Sequence, residues 1–351
     1  SGKRRTLPMP ARYAINALLV LVFLVIGESL ISGGVVNRYQ SGVLEQVGIY
    51  IIMAVSLNIA TGYLGQLPLG HAGFMSVGGY SCALFIIKLM PVLGLNAKAM
   101  ATMASPAAIL LFVGGVVFGG ICAAICGLII GIPALRLKGD YLAIVTLAFG
   151  EIIKNIITNL RVTGGALGLN TTAIYAGAKE LLPYGAALVL LTVAVMLNLK
   201  RSKYGRAIMA IRDNRIAAES VGLSVTRYKL AVFVIAAFFA GCAGVLYGHS
   251  LANIKAAAFD YNMSIEILVI VVLGGMGSVP GSVVSAIVLT VLPEALREVA
   301  DYRMLAYSVL LIVIMLLNAS PKFAELKGRW SVGNILRMRK ANKEKEGKEN
   351  G

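Results

Sequence analysis

Charge is what this sequence has least of. Only 14% of its 351 residues are Asp, Glu, Lys or Arg, where a soluble domain carries about a quarter. Together with 58% hydrophobic residues, that shortage excludes an ordinary soluble chain and points to an integral membrane protein. Histidine is nearly absent: His71 and His249 are the only 2. A Ser-His-Asp site would have to use one of them, and no G-x-S-x-G elbow accompanies either. The 4 cysteines, Cys82, Cys122, Cys126 and Cys242, all fall in apolar stretches. Cys122 and Cys126 share a helix face, but with no His or carboxylate beside them they form no zinc site and read as small buried hydrophobes. A Walker A segment is missing, and Gly275 to Gly281 gives G-x-G-x-x-x-G, which misses the dinucleotide spacing. No metal and no cofactor is therefore expected on this chain. The apolar–polar alternation of a membrane β-barrel is missing too.

What remains is a series of long apolar runs, at 14–31, 43–60, 71–90, 106–132, 141–159, 183–199, 230–250, 264–274, 281–299 and 304–318. A spanning helix needs roughly 20 such residues. The expectation is an all-α integral membrane protein, a polytopic bundle of about 10 spans. If the short eighth run and the ninth re-enter from one side, it becomes 8 spans plus a pair of half-helices. The first run follows Lys3-Arg4-Arg5. It exceeds the roughly 7–15 residues of a signal-peptide core and reads as a membrane helix.

The net charge of +16 is distributed unevenly. With the N-terminus inside, one side of the membrane holds the arm 1–13, Arg136 and Lys138, the loop 200–229 and the tail 321–351. The other holds Arg38, Lys98, Arg161, Lys179, Lys255 and Arg303. Lys/Arg bias in short loops sets orientation, so both termini are expected in the cytoplasm. The same placement excludes nucleic acid as the reason for the basicity. The tail's 322–340 segment, with Trp330 and Leu336, reads as an anchor on anionic lipid. Residues 341–351 alternate Lys with Glu and read as disordered. The membrane domain is thus placed at 14–320.

Two Gly-rich interruptions stand at matching parity, residues 62–73 and 273–281. Interrupted helices mark transport pathways. Gly65, Gln66, Gly70, His71, Phe74, Gly274, Gly275, Gly277 and Ser278 are therefore the candidate pathway residues. His71 has two readings, a satisfier of nearby backbone carbonyls or a substrate contact. Glu151 and Lys154, three apart on one helix face, read as a local intramembrane pair. Glu45, Glu294, Arg297 and Glu298 sit near span ends and are expected to reach water. Gly115/Gly119, Gly127/Gly131 and Gly244/Gly248 are small-x-x-x-small packing faces.

The loop 200–229 carries Arg212-Asp213-Asn214-Arg215-Ile216-Ala217-Ala218-Glu219-Ser220-Val221-Gly222. Asp213 is placed to cap a helix running to Gly222 at C′. This segment resembles the coupling segment of ABC importer permeases. Residues 62–80, Leu135-Arg136-Leu137-Lys138-Gly139-Asp140-Tyr141-Leu142 through Glu151, and Gly274 to Gly281 extend the resemblance over nearly the whole chain, specifically to LivM-like permeases of branched-chain amino acid importers. The chain departs from that pattern at Pro68 and near Val279.

The resemblance implies an ABC importer permease fold in a bacterial cytoplasmic membrane, with alternating-access transport. It implies ATPase coupling through Arg212, Asp213, Ala217, Ala218, Glu219, Ser220 and Gly222. The implied partners are a second homologous permease, two ABC ATPase subunits that hold the ATP and Mg, and an extracytoplasmic binding protein received by the loops 161–182 and 251–263. This chain itself would not be an enzyme. The alternatives are an ion-coupled secondary transporter, for which Glu151 speaks, and an importer of urea, amides or other amino acids.

Overall fold

In hydrocarbon every backbone N–H and C=O must find a partner within the protein, and a helix satisfies them segment by segment. The apolar runs accordingly fold as helices. The computed structural model describes residues 37–103, 105–137, 139–295, 308, 309 and 312. The runs 14–31 and 304–318, the N-terminal arm and the tail lie outside the described residues, except that Ser308, Val309 and Ile312 are helical.

Helix α1 spans Arg38–Asn58 and continues into a π-helical turn, Ile59–Tyr63. Then come α2 (His71–Leu89), α3 (Ala97–Thr102), α4 (Pro106–Ala134) and α5 (Asp140–Asn159). After β1 (Leu169–Asn170) follow α6 (Ala178–Arg201), α7 (Lys203–Asp213), α8 (Arg215–Ser220) and α9 (Val225–Ser250). The series closes with β2 (Asn253–Ile254), α10 (Tyr261–Gly274) and α11 (Val279–Ala295). Among the described residues, seven helical stretches are long and apolar enough to cross a membrane, and Val279–Glu294 is a shorter apolar helix. The eighth run reaches 19 residues because the helical stretch starts upstream, at Ala256. Asp260 broke the apolar run in the sequence, and it is the N-cap of α10, its Oδ1 accepting from Met263 N at 3.1 Å.

The chain divides into Ser1–Val291 and Leu292–Gly351. Of the second unit, residues 292–295, 308, 309 and 312 are described, and all are helical.

The core of the first unit lies where α2, α4 and α9 cross. Lipid tails are as apolar as leucine, so membrane helices associate by close packing rather than by hydrophobic expulsion. Small residues make that packing possible. Gly78 of α2 lies against Gly241 of α9, and Gly79 against Gly244. From α4, Gly119 faces Val245 and the Gly78 carbonyl, Gly120 faces Cys242, and Gly127 faces Ala237. All 3 predicted small-residue pairs lie in helices, and Gly115, Gly131 and Gly248 also meet neighbouring side chains. Cys82 and Cys242 are buried in this crossing, and Cys122 and Cys126 are partly exposed on α4.

One charge departs from expectation. Glu45 does not reach water: it is 6% exposed on α1, and its Oε1 has no hydrogen-bond partner among the described residues. The reason is that α1 begins at Arg38, five residues before the apolar run, so Glu45 sits inside the helix and not at its end. Glu294 is partly buried, and Arg297 and Glu298 lie outside the described residues.

Where the opposite ends of the spans emerge, the loops between α5 and α6 and between α9 and α10 are tied together. β1 pairs antiparallel with β2, Leu169 opposite Ile254 and Asn170 opposite Asn253. Thr171 N donates to Ala252 O at 3.0 Å and Ala176 N to His249 O at 3.1 Å. The two loops expected to receive a binding protein are thus one surface.

Candidate functional site

The first interruption is built in two steps. The α1 ladder widens into the π-helical turn over Ile59–Tyr63, a feature that recurs at functional sites. Residues 64–70 then run without helix before α2 starts at His71. Irregular backbone needs partners supplied by the protein. Gln66 N donates to Ala60 O at 3.0 Å, and Leu69 N to the Thr146 hydroxyl of α5 at 3.0 Å. Gly70 lies against the Thr146 carbonyl so closely that any Cβ would overlap it.

The second interruption, between α10 and α11, turns on Gly275 (φ +88°) and Gly277 (φ +86°). Only glycine adopts such angles freely. Ser278 N closes the turn on Gly275 O at 3.0 Å.

The two interruptions meet. Asn58, at the last turn of α1, accepts from Gly277 N through Oδ1 at 2.7 Å. Its Nδ2 donates to Ser282 Oγ at 2.7 Å and to Ser278 O at 3.1 Å. A Cβ on Gly62 would overlap Gly277 N and Asn58 Oδ1. The amide therefore clamps α1 to the turn preceding α11, and backbone touches backbone beside it.

The loop 200–229 reaches this junction at two points, Lys200 and Arg212. Lys200 Nζ, in the last turn of α6, donates to Gly277 O at 3.1 Å and stands 5.2 Å from the centre of the Tyr63 ring. Arg212 Nη1, at the end of α7, donates to Gly62 O at 2.8 Å. Its Nε and Nη2 bond Asp213 Oδ1 at 3.1 and 2.9 Å, and its stem covers Gly65.

The Ala-Ala-Glu…Gly segment is the short helix α8. Its cap differs from expectation: Asn214, and not Asp213, accepts from Ala217 N at 3.0 Å. Asp213 is the last residue of α7 and is turned to Arg212 instead. The other end is as predicted, with Gly222 at φ +83°. Gly222 N donates to Glu219 O at 3.0 Å and Leu223 N to Ala218 O at 3.1 Å, the two bonds of a Schellman motif. Ala218 is buried, whereas Ile216 and Val221 are 80% and 75% exposed. Glu219 is half-exposed and bonds Arg215 Nε, one turn back, at 2.9 Å. Ala217 and Ser220 are exposed, and the Ser220 hydroxyl bonds Ala217 O at 2.9 Å.

The other candidates lie deeper. His71 is 1% exposed and its Nε2 bonds the Ser56 hydroxyl at 2.9 Å, so it ties α2 to α1. Phe74 is buried edge-on against Phe233, ring centres 5.4 Å apart. Gly274 meets the Gly281 backbone. Glu151 pairs with Lys154, and its Oε1 also accepts from Tyr261 N at 3.0 Å, holding the start of α10. A shallow surface depression lies beside it, lined by Leu69, Gly73, Gly150, Tyr261 and Ser264 among others. Sequence reading missed Asn58, Lys200 and the pair formed by Tyr50 Oη and Glu266 Oε2, 3.0 Å apart. Asn58 and Glu266 are polar residues within apolar runs, and that isolation was the available signal.

The chain resembles known proteins along most of its length. The LivM permease protein of the high-affinity branched-chain amino acid transport system of Escherichia coli K12 is 34% identical over 347 residues, covering 90% of this chain and 77% of that protein. Its counterpart in Salmonella typhimurium LT2 is also 34% identical, over 80% of this chain and 69% of that one. The E. coli LivH permease protein is 22% identical over 76% of this chain and 88% of its own length. The family model described as branched-chain amino acid transport system / permease component matches residues 39–319. With most of its length matched in this way, the chain is a multi-pass membrane protein that belongs to that permease family.

Proposed function

We propose that the chain is one of two permease subunits of an ATP-driven importer that moves branched-chain amino acids into the cell by alternating access. The observation that carries this reading is α8, a short capped helix that buries Ala218 while leaving Ile216 and Val221 exposed for a partner. The naming of the LivM and LivH relatives supports the substrate and the pairing with a second permease. The energy comes from two ABC ATPase subunits, which hold ATP and Mg and dock on the segment formed by the end of α7, α8 and Gly222, through Arg212, Asp213, Ala217, Glu219, Ser220 and Gly222, with buried Ala218 holding α8 in place. An extracytoplasmic binding protein delivers ligand to the loops joined by β1 and β2. The chain crosses a bacterial cytoplasmic membrane about 10 times, with both termini inside. Gly65, Gln66, Gly70, His71, Phe74, Gly274, Gly275, Gly277 and Ser278 flank the pathway.

The test is co-expression with the neighbouring transport genes, purification through this chain, and uptake of labelled leucine, isoleucine and valine into proteoliposomes loaded with ATP. Retention of two ATPases and a second permease, with ATP-dependent uptake, is the expected result. Uptake driven by an ion gradient without ATP would overturn the reading. A sharper variant is Gly222→Val. At φ +83° an L-residue is strained by about 1–2 kcal/mol, which loosens the Schellman cap. Membrane insertion should be unchanged and uptake should fall about tenfold. Normal uptake in this variant removes the coupling role from α8.

A further inference from the structure

The last turn of α6 and the end of α7 each grip an interruption. Arg212 holds the first, donating to Gly62 O at 2.8 Å from inside the π-helical turn. Its guanidinium is fixed on the other side by two bonds to Asp213 Oδ1, and its stem lies over Gly65. Lys200 holds the second, donating to Gly277 O at 3.1 Å. It also touches the first through the face of Tyr63. A broken helix leaves carbonyls without a partner in the helical ladder, and a cationic donor makes the stronger kind of hydrogen bond to them. Asn58 then joins the two interruptions to each other through Gly277 N, Ser278 O and Ser282 Oγ.

We propose that Arg212 and Lys200 are positioning residues that carry motion of the cytoplasmic helix pair α7–α8 to the two interrupted segments, Arg212 to residues 59–66 and Lys200 to residues 275–278, with Asn58 keeping the two in register. This rests on the reading of α8 as the docking helix of a separate motor. The route is direct. Displacement of α7 pulls on Gly62, the residue whose backbone abuts Gly277, and the two segments part or close together.

The experiment uses the assembled transporter in lipid nanodiscs. Amide hydrogen exchange is followed over residues 59–66 and 275–278, with and without ATP trapped by vanadate. In the unaltered complex both segments should change protection on trapping. Arg212→Gln should reduce the ATP-dependent difference more over 59–66 than over 275–278, which Asn58 still links to it. Lys200→Met should do the reverse, and Arg212→Lys should restore part of the first. Uptake per ATP hydrolysed should drop about tenfold in Arg212→Gln. A merely structural role would loosen a segment equally with and without ATP and leave the difference intact, and that result overturns the proposal. Should Arg212→Gln not assemble, Arg212→Lys and Lys200→Met decide it, and an unchanged ATP-dependent difference in both counts against it. A complex that takes up substrate with its ATPases bound but shows no ATP-dependent change in either segment sinks this inference alone. A chain that holds no ATPase sinks the reading of function as well.

Discussion

Leucine in place of Gly244 is expected to prevent the folded protein from accumulating. Gly244 of α9 lies directly on the Met75 carbonyl of α2, and a Cβ there would overlap that backbone oxygen and crowd Gly79 N at 3.0 Å. No flexible side chain is available to give way. The two helices must separate, and α4 is wedged against both, with Gly119 on the Gly78 carbonyl and Gly120 on Cys242. Overpacking a core costs about 1–3 kcal/mol where side chains can shift, and backbone contact gives less relief. Since packing is what holds membrane helices together, the loss is not replaced by any other force. The check is the monodisperse yield after mild detergent extraction, and the unfolding temperature of whatever survives. Gly114→Leu is the control: nothing lies within 4 Å of the Cβ position at Gly114, so its yield should match the unaltered chain. Equal yields for the two variants would refute the crossing as the centre of the fold.

The second large effect is expected at Asn58. Asn58→Leu removes three hydrogen bonds and leaves Gly277 N and Ser282 Oγ to find other partners, while Ser278 O keeps its bond from Ser282 N. Each buried group left unpaired costs about 1–3 kcal/mol. The larger methyl that replaces Oδ1 also faces Gly62, which lies against Asn58 Oδ1 already. The turn before α11 should detach from α1, which protease accessibility or thiol labelling of a cysteine at Met276 would register as faster reaction. Met276 is already 58% exposed, so the labelling comparison should be made on the ratio between variant and parent. A ratio of one would mean that the junction is held by something other than this amide.

The helices were legible because their cause is local. A run such as 106–132 is apolar throughout, and no partner is needed to say that it is a span. Boundaries were less legible. Helix α1 starts at Arg38, where the polar residues of its first turn hid it, and Glu45 was misplaced as a consequence. The cap of α8 fell to Asn214 because α7 runs through Asp213, and composition alone does not tell one helix from two. Gly222 was placed correctly because its role is dictated by backbone sterics within four residues. The junction was not legible at all. Asn58 and Gly277 lie 219 positions apart, and a single Asn near the end of an apolar run carries no indication of which distant amide it will meet. Lys200 was one charge of a basic loop, and Arg212 was read toward an ATPase partner and not toward Gly62.

That separation has a consequence for how the chain is made. A ribosome adds about 5–20 residues per second, so the 219 positions between the amide of Asn58 and the first of its partners to be made correspond to a wait of roughly 10–45 s. Throughout that interval the end of α1 is already synthesised with a polar side chain that has nowhere in lipid to go. Biogenesis of this permease therefore includes a period in which α1 is an incomplete membrane helix, dependent on the insertion machinery or on water at the membrane surface to shelter Asn58. Truncated nascent chains ending before Gly277 should remain cross-linkable to the insertase through position 58, and chains extended past Ser282 should let go.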